Sequence, residues 1–229
     1  MKTCRECQES FEQIGTHWRW NPEHRPSFSD HQHEVLTGIV MGDACVNDNG
    51  GNPCIKMSVI EREYLEELDG IFSEVSRGVE IDRLAADVAE MNRQSGFSPE
   101  AKEENYHDVY MWHTVNHPEL QQYRDWYTSG KKEWPKDLEI TPTVLKHLYA
   151  CDGTLSHGHV QIAMSNELEN FQFWVSKFNE LDMYPTKHSF ERAEHLSGKT
   201  AYLYFPTDSS ERFFDYVGSP VNGFEYKWP

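Results

Sequence analysis

Two segments of the sequence decide the fold: LTGIVMGDA (Leu36–Ala44) and LKHLYACDG (Leu145–Gly153). Each is an apolar, helix-like stretch with small residues near its end, and each places an aspartate at its eighth position. These aspartates, Asp43 and Asp152, are 109 residues apart, about half of the 229-residue chain. Because small residues on one face let two helices approach closely, the sequence predicts that the two helices pack together.

The two aspartates occupy an electrostatically unfavourable position. The C-terminal end of a helix carries roughly half a negative charge, and a second carboxylate beside the first increases the repulsion. A divalent cation between Asp43 and Asp152 removes this conflict, since Mg²⁺ is typically held by one or two carboxylates with phosphate oxygens and water. Alternatively, each aspartate simply begins a turn. The matched positions favour a Mg²⁺ (or Mn²⁺) site.

The segments that follow each helix come in the same order, which indicates an internal duplication. After the first helix come a Gly/Asn-rich turn, a strand (CIKMSV), a helix (IEREYLEELDGIF), a strand (YHDVYMWHTV) and a helix (PELQQYRDWY). After the second come a turn, a strand (HVQIAMS), a helix (ENFQFWVSKFNEL), a strand (AYLYFP) and a helix (DSSERFFDYV). We therefore expect a small element at residues 1–30, a first half at 31–137 and a second half at 138–229.

The composition favours a folded intracellular protein. Hydrophobic residues make up 38% and aromatic residues 13% of the chain, which argues against global disorder. No apolar run approaches the roughly 18 residues of a membrane-spanning helix, and the opening MKTCRECQES is not typical of a signal peptide. Five scattered cysteines are too few for a disulfide framework. We expect a cytoplasmic location and no membrane partner.

The chain is strongly acidic, with a formal net charge of −17 and an isoelectric point near 5.0. Residues 61–104 hold 13 acidic and five basic residues, and the stretch DRLAADVAEMNRQSGFSPEAKEEN predicts a solvated helical insertion or a loop. Such a charge repels nucleic acid in dilute buffer, but at about 1 M salt the Debye length is only about 3 Å. Because acidic surfaces keep proteins soluble in brine, we also predict a halophilic source, such as an archaeon or its virus.

A longer stretch of the second half carries a family resemblance. The run WYTSGKKEWPKDLEITPTVLKHLYACDGTL (Trp126–Leu155) has Gly-Lys-Lys, Pro, Thr-Pro and Asp-Gly in order, and the chain closes on YKW before its last proline. Together with the two helix motifs, it resembles the LAGLIDADG homing endonucleases in their single-chain form, over roughly residues 33–229. The resemblance implies an α+β fold of two pseudo-symmetric αββαββα halves with saddle-shaped antiparallel sheets.

The resemblance also implies an activity and its residues. Such proteins act as monomers that use divalent metal to cut both strands of a long, asymmetric duplex DNA target, leaving short 3′ overhangs. They spread their own gene by prompting repair from the copy that carries it. The metal-binding acids are Asp43 and Asp152, with the neighbouring Ala44 and Gly153 at the closing position of each motif. A basic residue near each catalytic centre corresponds to Lys132 in Gly-Lys-Lys and to Lys227 in the tail, unless Lys132 is an ordinary surface lysine.

Base-reading residues are expected on the strands and turns after each motif helix. Amide side chains read adenine edges and lysine reads guanine. Each of these positions could instead be an ordinary surface residue. The candidates are Lys56 and Gln161 on strands, and Asn47, Asn49, Asn52, His157 and His159 in the turns before them.

The first 30 residues contain a separate candidate metal site. Cys4 and Cys7 are followed by His17 and His24, and two thiolates with two imidazoles can complete a tetrahedral Zn²⁺ site. The wide spacing of the histidines and the prolines predict an irregular, knuckle-like element without a regular recognition helix. His31 or His33 could replace His24 as the fourth ligand, and a disordered tail is the alternative to a zinc site.

Three other functions are weighed against the nuclease. A non-cleaving binder with the same fold, such as an RNA maturase or a transcription regulator, often loses one or both acids, whereas both remain here. A catalytic thiol at Cys151 beside His147 is conceivable, but the motif explains both positions more simply. A zinc-dependent binding protein without enzymatic activity would explain only the N-terminal element.

Overall fold

The computed structural model describes residues 1–48, 50–128, 130–191 and 199–229. Their contacts group the chain into two compact units. Unit 1 consists of residues 1–32 and 44–124, and unit 2 of residues 33–43 and 125–229. The domain boundaries expected from the sequence, between residues 30 and 31 and between residues 137 and 138, separate the N-terminal element and the two sequence repeats. These boundaries stay predictions. None of the described helices is both long and apolar enough to cross a membrane.

The N-terminal element of unit 1 contains more regular structure than the sequence predicts. Strands β1 (Lys2–Thr3) and β2 (Ser10–Phe11) pair antiparallel, and helix α1 (Ile14–Trp20) follows them. A 3-10 turn at Pro22–His24 comes next. The expectation of an irregular segment is wrong for α1, because the prolines come after this helix and end it. Ile14 and Trp18, four residues apart, are buried on one face of α1.

The first repeat has the element order of the predicted half, with one helix inserted. Its sheet runs in the order β3-β4-β6-β5 with antiparallel pairs. The elements are α2 (Asp30–Met41), β3 (Cys45–Asn47), β4 (Cys54–Val59), α3 (Arg62–Ile71), β5 (Ser76–Arg83), α4 (Ala85–Gln94), β6 (Val109–Thr114) and α5 (Gln121–Arg124).

The second repeat has the same order of elements without an insertion. A short hairpin, β7 (Tyr127–Thr128) with β8 (Lys131–Lys132), precedes it. Its sheet runs β9-β10-β12-β11, which matches the order in the first repeat position for position. The elements are α6 (Pro142–Asp152), β9 (Gly153–Ser156), β10 (His159–Ala163), α7 (Phe171–Asn179), β11 (Thr186–Glu191), β12 (Lys199–Tyr204) and α8 (Thr207–Val217). The α+β class and the αββαββα order are confirmed.

Four strands of the two four-stranded sheets were not identified from their own sequences, and all four lie at sheet edges: β3 and β9, where the sequence predicted turns, and β5 and β11. β5 has the sequence SRGVEIDR and β11 the sequence TKHSFE, and each pairs with one neighbouring strand only. Charged residues are common on edge strands, so the alternation of apolar and polar residues is weak there. The acidic segment between β5 and β6 forms α4, which confirms the helical form of the predicted insertion.

Alternating burial gives each sheet an inner and an outer face. In unit 1, Ile55 and Met57 of β4 are buried, whereas Lys56 between them is only partly buried. In unit 2, Val160 and Ile162 of β10 are buried, and Gln161 between them is partly exposed. Each sheet therefore presents one polar face, which is the face that the resemblance assigns to DNA.

Candidate active site on the motif helices

The two motif helices approach each other closely within unit 2. A Cβ at Gly38 of α2 would lie 2.5 Å from the carbonyl oxygen of Val144 and 2.7 Å from Cβ of His147 on α6. A Cβ at Gly42 would meet Cβ of Cys151 at a still shorter distance. Real Cβ atoms do not come this close to their neighbours, so glycine at both positions is required by the contact. The predicted packing of the two helices is confirmed.

The acids lie at the adjacent ends of these helices. Asp43 is exposed two residues after the end of α2, and Asp152 is the partly buried last residue of α6. Burial raises the pKa of Asp152 to about 6, and the negative charge of Asp43 adds to this rise. The charges of Lys132 and Lys227 oppose it. The four residues are therefore electrostatic neighbours.

Each helix end is met by one of the two lysines. Lys132 Nζ donates to the carbonyl oxygen of Gly42 at the end of α2. Lys227 Nζ donates to the carbonyl oxygens of Ala150, at 2.6 Å, and Cys151, at 3.4 Å, at the end of α6. Last-turn carbonyls have no partner within the helix, and a cation there also offsets the negative end of the helix dipole. The lysines thus stabilise the helix ends that carry the acids.

Three further residues hold these lysines and helix ends, and the sequence analysis did not identify them. Trp134 Nε1 donates to the carbonyl oxygen of Met41 at 3.0 Å. The backbone N–H of Trp134 donates in turn to Oε1 of Glu167, a 1% exposed carboxylate, at 2.8 Å. On the other side, the Tyr149 hydroxyl donates to the carbonyl oxygen of Lys227 at 2.7 Å. Only the aromatic character of the run around Trp134 could have suggested this role.

The residues after the acids have different constraints. Ala44 is buried directly after Asp43, and Gly153 is buried directly after Asp152. A Cβ at Gly153 would collide with the ring and carbonyl oxygen of Tyr149, so there is no space for a side chain at this position.

The candidate metal ligands at the two helix ends are all oxygen donors, namely two carboxylates and the neighbouring backbone carbonyls. Mg²⁺ and Mn²⁺ prefer oxygen donors. The residues present fit a divalent cation of this kind.

The alternative of a catalytic thiol at Cys151 does not fit its surroundings. Loss of hydration raises the pKa of this thiol far above its ordinary value, and the charges of Asp43 and Asp152 raise it further. A nucleophilic cysteine needs a lowered pKa, because the thiolate is the reactive form. His147, the proposed base, is 3% exposed and packs against Gly38. Cys151 is a packing residue between the two helices.

The DNA-reading candidates of unit 1 lie on or beside the polar face of its sheet. Lys56 pairs with Cys45 of β3 and His113 of β6 in the strand register, and its Nζ lies 3.9 Å from Asp82. Asn47 is exposed on β3 and Asn52 is exposed in the loop before β4. The candidate Asn49 lies outside the described residues.

The candidates of unit 2 form part of a face rich in rings and amides. Gln161 lies in register with Tyr204 of β12. His159 begins β10, rather than lying in the turn before it, and its ring centroid is 4.9 Å from that of Tyr204. His188 of β11 stacks on the same tyrosine at 4.2 Å. His157 is exposed in the turn with a φ of 51°. Tyr204 and His188 are additional candidates that the sequence analysis missed.

The four N-terminal zinc candidates come together in unit 1. Ligand atoms of Cys4, Cys7, His17 and His24 all lie within 4.8 Å of one another. Cys4 Sγ is 3.8 Å from His24 Nδ1, Cys7 Sγ is 3.6 Å from His17 Nε2, and the two histidine nitrogens are 3.1 Å apart. A tetrahedral zinc ion separates sulfur from nitrogen by about 3.5 Å and nitrogen from nitrogen by about 3.3 Å. His24 belongs to the cluster, and the alternatives His31 and His33 lie on α2.

Comparison with protein families supports the resemblance seen in the motifs. The profile of the LAGLIDADG DNA endonuclease family matches residues 33–213, which leaves out residues 1–32 and 214–229. No curated protein sequence matches the chain significantly.

Comparison with solved structures supports the fold. The chain is similar to the homing endonuclease I-WcaI bound to its DNA recognition sequence, with a TM-score of 0.73 and 14% identity over 92% of this chain and 91% of that one. It is also similar to an I-DmoI variant in complex with nicked target DNA in the presence of manganese, with a TM-score of 0.52 and 12% identity over 84% and 98% of the two chains. At these identities the likeness concerns the fold alone.

Proposed function

Because the chain belongs to the LAGLIDADG DNA endonuclease family, we propose that it hydrolyses one phosphodiester bond in each strand of a long, asymmetric duplex target, leaving short 3′ overhangs. The observation that carries this proposal is the pair of aspartates at the ends of two closely packed helices, each helix end held by its own lysine. Both motifs are in one chain, which favours a monomer. A double-strand break in DNA that lacks the gene of this protein would prompt repair from the copy that carries it. We therefore also propose that the protein is encoded by a mobile genetic element.

Asp43 and Asp152 hold the divalent cation in this proposal, together with the backbone oxygens of Ala44 and Gly153. A divalent cation, when bound, stabilises the negative charge that develops on the scissile phosphate. The raised pKa of Asp152 reflects burial first and the negative charge of Asp43 second, and a bound cation would reduce both effects. Mg²⁺ and Mn²⁺ are the expected ions, because both prefer oxygen ligands.

Lys132 and Lys227 supply positive charge beside the reacting phosphates. An ammonium group has three N–H donors, so each lysine can serve a helix carbonyl and a phosphate oxygen in the same position. Preorganised donors aimed at developing charge are among the largest contributions to catalysis. The hydrogen bonds to the Gly42 and Ala150 carbonyls fix the two ammonium groups before DNA binds.

Sequence recognition is proposed for the polar faces of the two sheets. In unit 1, Lys56 would read guanine, and Asn47, Asn49 and Asn52 would read adenine, by the usual pairing of side chains and base edges. In unit 2, Gln161, His157 and His159 would contact bases. These assignments rest on position and residue type, and the target sequence follows only from selection experiments.

Zinc binding is proposed for Cys4, Cys7, His17 and His24 because their ligand atoms already have nearly tetrahedral spacing. We expect about one zinc ion per purified chain, as for a closed structural site. Mass spectrometry of the metal content should show its loss in His24→Ala and its retention in His31→Ala, which removes an exposed histidine outside the cluster. Zinc retained in both variants, or absent from the wild type, contradicts this site.

A salt-rich working environment is proposed from the net charge of −17. Cations at high concentration screen the mutual repulsion of the acidic side chains, so folding should improve with added KCl. A far-UV circular dichroism titration in KCl measures this directly. Full folding without added salt and no gain with it would remove the halophilic assignment and leave the nuclease proposal intact.

The nuclease proposal is tested by incubating a randomised duplex library with the protein and Mg²⁺ at increasing KCl concentrations. The Asp43→Asn/Asp152→Asn variant serves as the matched control, because it keeps both side-chain shapes. Discrete double-strand cuts by the wild type alone are the expected result. Cuts that persist in the double variant would show that the active site is misassigned, and binding without cuts at any salt concentration would favour a non-cleaving binder.

A further inference from the structure

A cleft between the N-terminal element and the first sheet of unit 1 departs from the acidic character of the chain. This cleft of about 800 Å³ is lined by four basic side chains, Lys2, Arg19, Arg25 and Arg77, and by one acidic side chain, Glu12. The whole chain has 38 acidic and 21 basic residues, so a local excess of positive charge is the opposite of what its composition predicts. We name this feature, defined by the four basic residues, the basic cleft.

The positive charges of the basic cleft are not neutralised by neighbouring acids. Lys2 Nζ donates to the backbone carbonyl of Ser73, and Arg25 donates to that of Trp18 at 3.1 Å. Across the described residues, none of the four basic side chains lies within ion-pair distance of a carboxylate. Elsewhere in unit 1, by contrast, Arg5, Arg62, Arg93 and Arg124 are each paired with a nearby acid.

The basic cleft is continuous with the polar face of the sheet. The loop residues Gly50, Gly51 and Asn52 line it, and Asn52 is one of the proposed base-reading residues. Arg77 is the second residue of the strand β5 beside that face. Burial and the charges of Arg77 and Lys56 lower the pKa of His113 on β6, and the charge of Glu80 opposes them. Arg77 therefore lies both in the cleft and beside the face proposed to contact DNA.

Three of the four basic side chains are close in sequence to the ligands of the Cys/His cluster. Arg19 lies on the same short helix as His17, Arg25 directly follows His24, and Lys2 lies two residues before Cys4. A metal ion bound to this cluster would hold their backbone segments in place. Arrays of fixed cations without acidic partners bind the phosphates of nucleic acids, which supply most of the affinity in such complexes.

We propose that the basic cleft binds the phosphate backbone of the target duplex next to the bases that the first sheet reads, so that the N-terminal element lengthens the DNA contact of the enzyme. This inference rests on the proposed nuclease function for the identity of the partner. It assigns a role in binding to Lys2, Arg19 and Arg25, which lie outside the match to the family profile, since that match begins at residue 33.

The test compares the wild type with Arg19→Gln/Arg77→Gln on the duplex recovered from the cleavage selection, in its full length and truncated at the end next to the first half-site. An Arg62→Gln/Arg212→Gln variant is the matched control, because it removes the same charge from two exposed sites outside the cleft. Affinity is measured across a series of KCl concentrations for all three proteins.

Each phosphate contact contributes about 0.9 to the slope of log affinity against log salt concentration. Loss of two contacts in Arg19→Gln/Arg77→Gln should therefore reduce the magnitude of this slope by about 1.8. The factor by which a tenfold rise in KCl weakens DNA binding should then be about 60 times smaller for this variant than for the wild type. Truncation of the duplex should weaken binding of the wild type and of the control variant but not of Arg19→Gln/Arg77→Gln. The hydroxyl-radical footprint of that variant should be shorter at one end only.

The outcomes separate this inference from the nuclease proposal. Specific cleavage by the wild type together with an unchanged salt slope and footprint in Arg19→Gln/Arg77→Gln overturns the basic cleft as a DNA contact and leaves the nuclease intact. An equal change of the salt slope in the Arg62→Gln/Arg212→Gln control also overturns the basic cleft as a DNA contact. The change would then be explained by the lower positive charge of the protein as a whole. A wild type that neither binds nor cuts duplex DNA overturns both.

Discussion

The two motif helices end in the same residue type but in different surroundings. Asp43 is exposed beyond the end of α2, whereas Asp152 is partly buried as the last residue of α6 and has a pKa raised to about 6. Lys132 holds the end of the first helix, and Lys227 holds the end of the second. A duplicated sequence motif thus gives two acids with one geometric role and unequal hydration. We expect Asp152 to depend more strongly on a neighbouring cation than Asp43 does.

The largest expected effect is on double-strand cutting by the single variants Asp43→Asn and Asp152→Asn. Metal-based stabilisation of transition-state charge contributes several kcal/mol, so each variant should cut about 10³-fold more slowly than the wild type. Rates with linear target DNA at saturating Mg²⁺ measure this. If one variant cuts at the wild-type rate, the two acids do not act as a pair.

Substitution of the lysines should have a smaller effect on cutting. Lys132→Met and Lys227→Met remove one positive charge while retaining most of the side-chain volume, and we expect rates lower by about 10- to 100-fold. Because both lysines lower the pKa of Asp152, their loss should also move the acidic limb of the pH–rate profile to higher pH. Lys131→Met, at the exposed neighbouring position, should leave rate and profile unchanged.

The helix contact that brings the acids together can be broken sterically. Gly42→Ala forces a methyl group into Cys151, and overpacking of this kind costs about 1–3 kcal/mol of stability. A second substitution, Cys151→Gly, should restore part of that loss by making space. Urea unfolding provides the free energies, with Gly70→Ala as control, because a Cβ at Gly70 meets nothing within 4 Å. A stability of Gly42→Ala equal to that of the wild type would contradict the close packing.

The difference in hydration predicts a pH-dependent stability in the absence of divalent metal. A carboxyl group with a raised pKa in the folded state stabilises the fold when protonated, and this stabilisation is lost as pH increases from about 4 through 6. Asp152→Asn should therefore be more stable than the wild type by about 1–3 kcal/mol at pH 8 with EDTA, and the difference should vanish near pH 4.

Thermal unfolding of the wild type, Asp152→Asn and the exposed-site control Asp137→Asn measures this effect. Mg²⁺ should raise the unfolding temperature of the wild type at pH 8 and have little effect on Asp152→Asn. An Asp152→Asn variant that is less stable than the wild type at pH 8 with EDTA would show that Asp152 is a well-solvated acid.

Much of the site is predictable from the sequence because each motif combines small residues, an apolar helix and one acid at a fixed position. Asp43 and Asp152 could be proposed in this way, whereas Lys132 and Lys227 could be proposed only through the family resemblance. Trp134 and Glu167 could not, because their role depends on hydrogen bonds between segments distant in sequence. The edge strands β3, β5, β9 and β11 were missed because short or half-solvated edge strands lack a clear hydrophobic alternation. The helix α1 was missed because the prolines that follow it were taken to exclude a regular helix.

Anomalous diffraction would show whether Asp43 and Asp152 jointly hold a divalent cation. The crystals would contain the complex with target DNA and would be grown in Mn²⁺. We expect an anomalous peak about 2.1 Å from a carboxylate oxygen of each aspartate, with a phosphate oxygen among the other ligands. Anomalous peaks elsewhere, with none at either aspartate while the DNA is cut, would contradict this expectation.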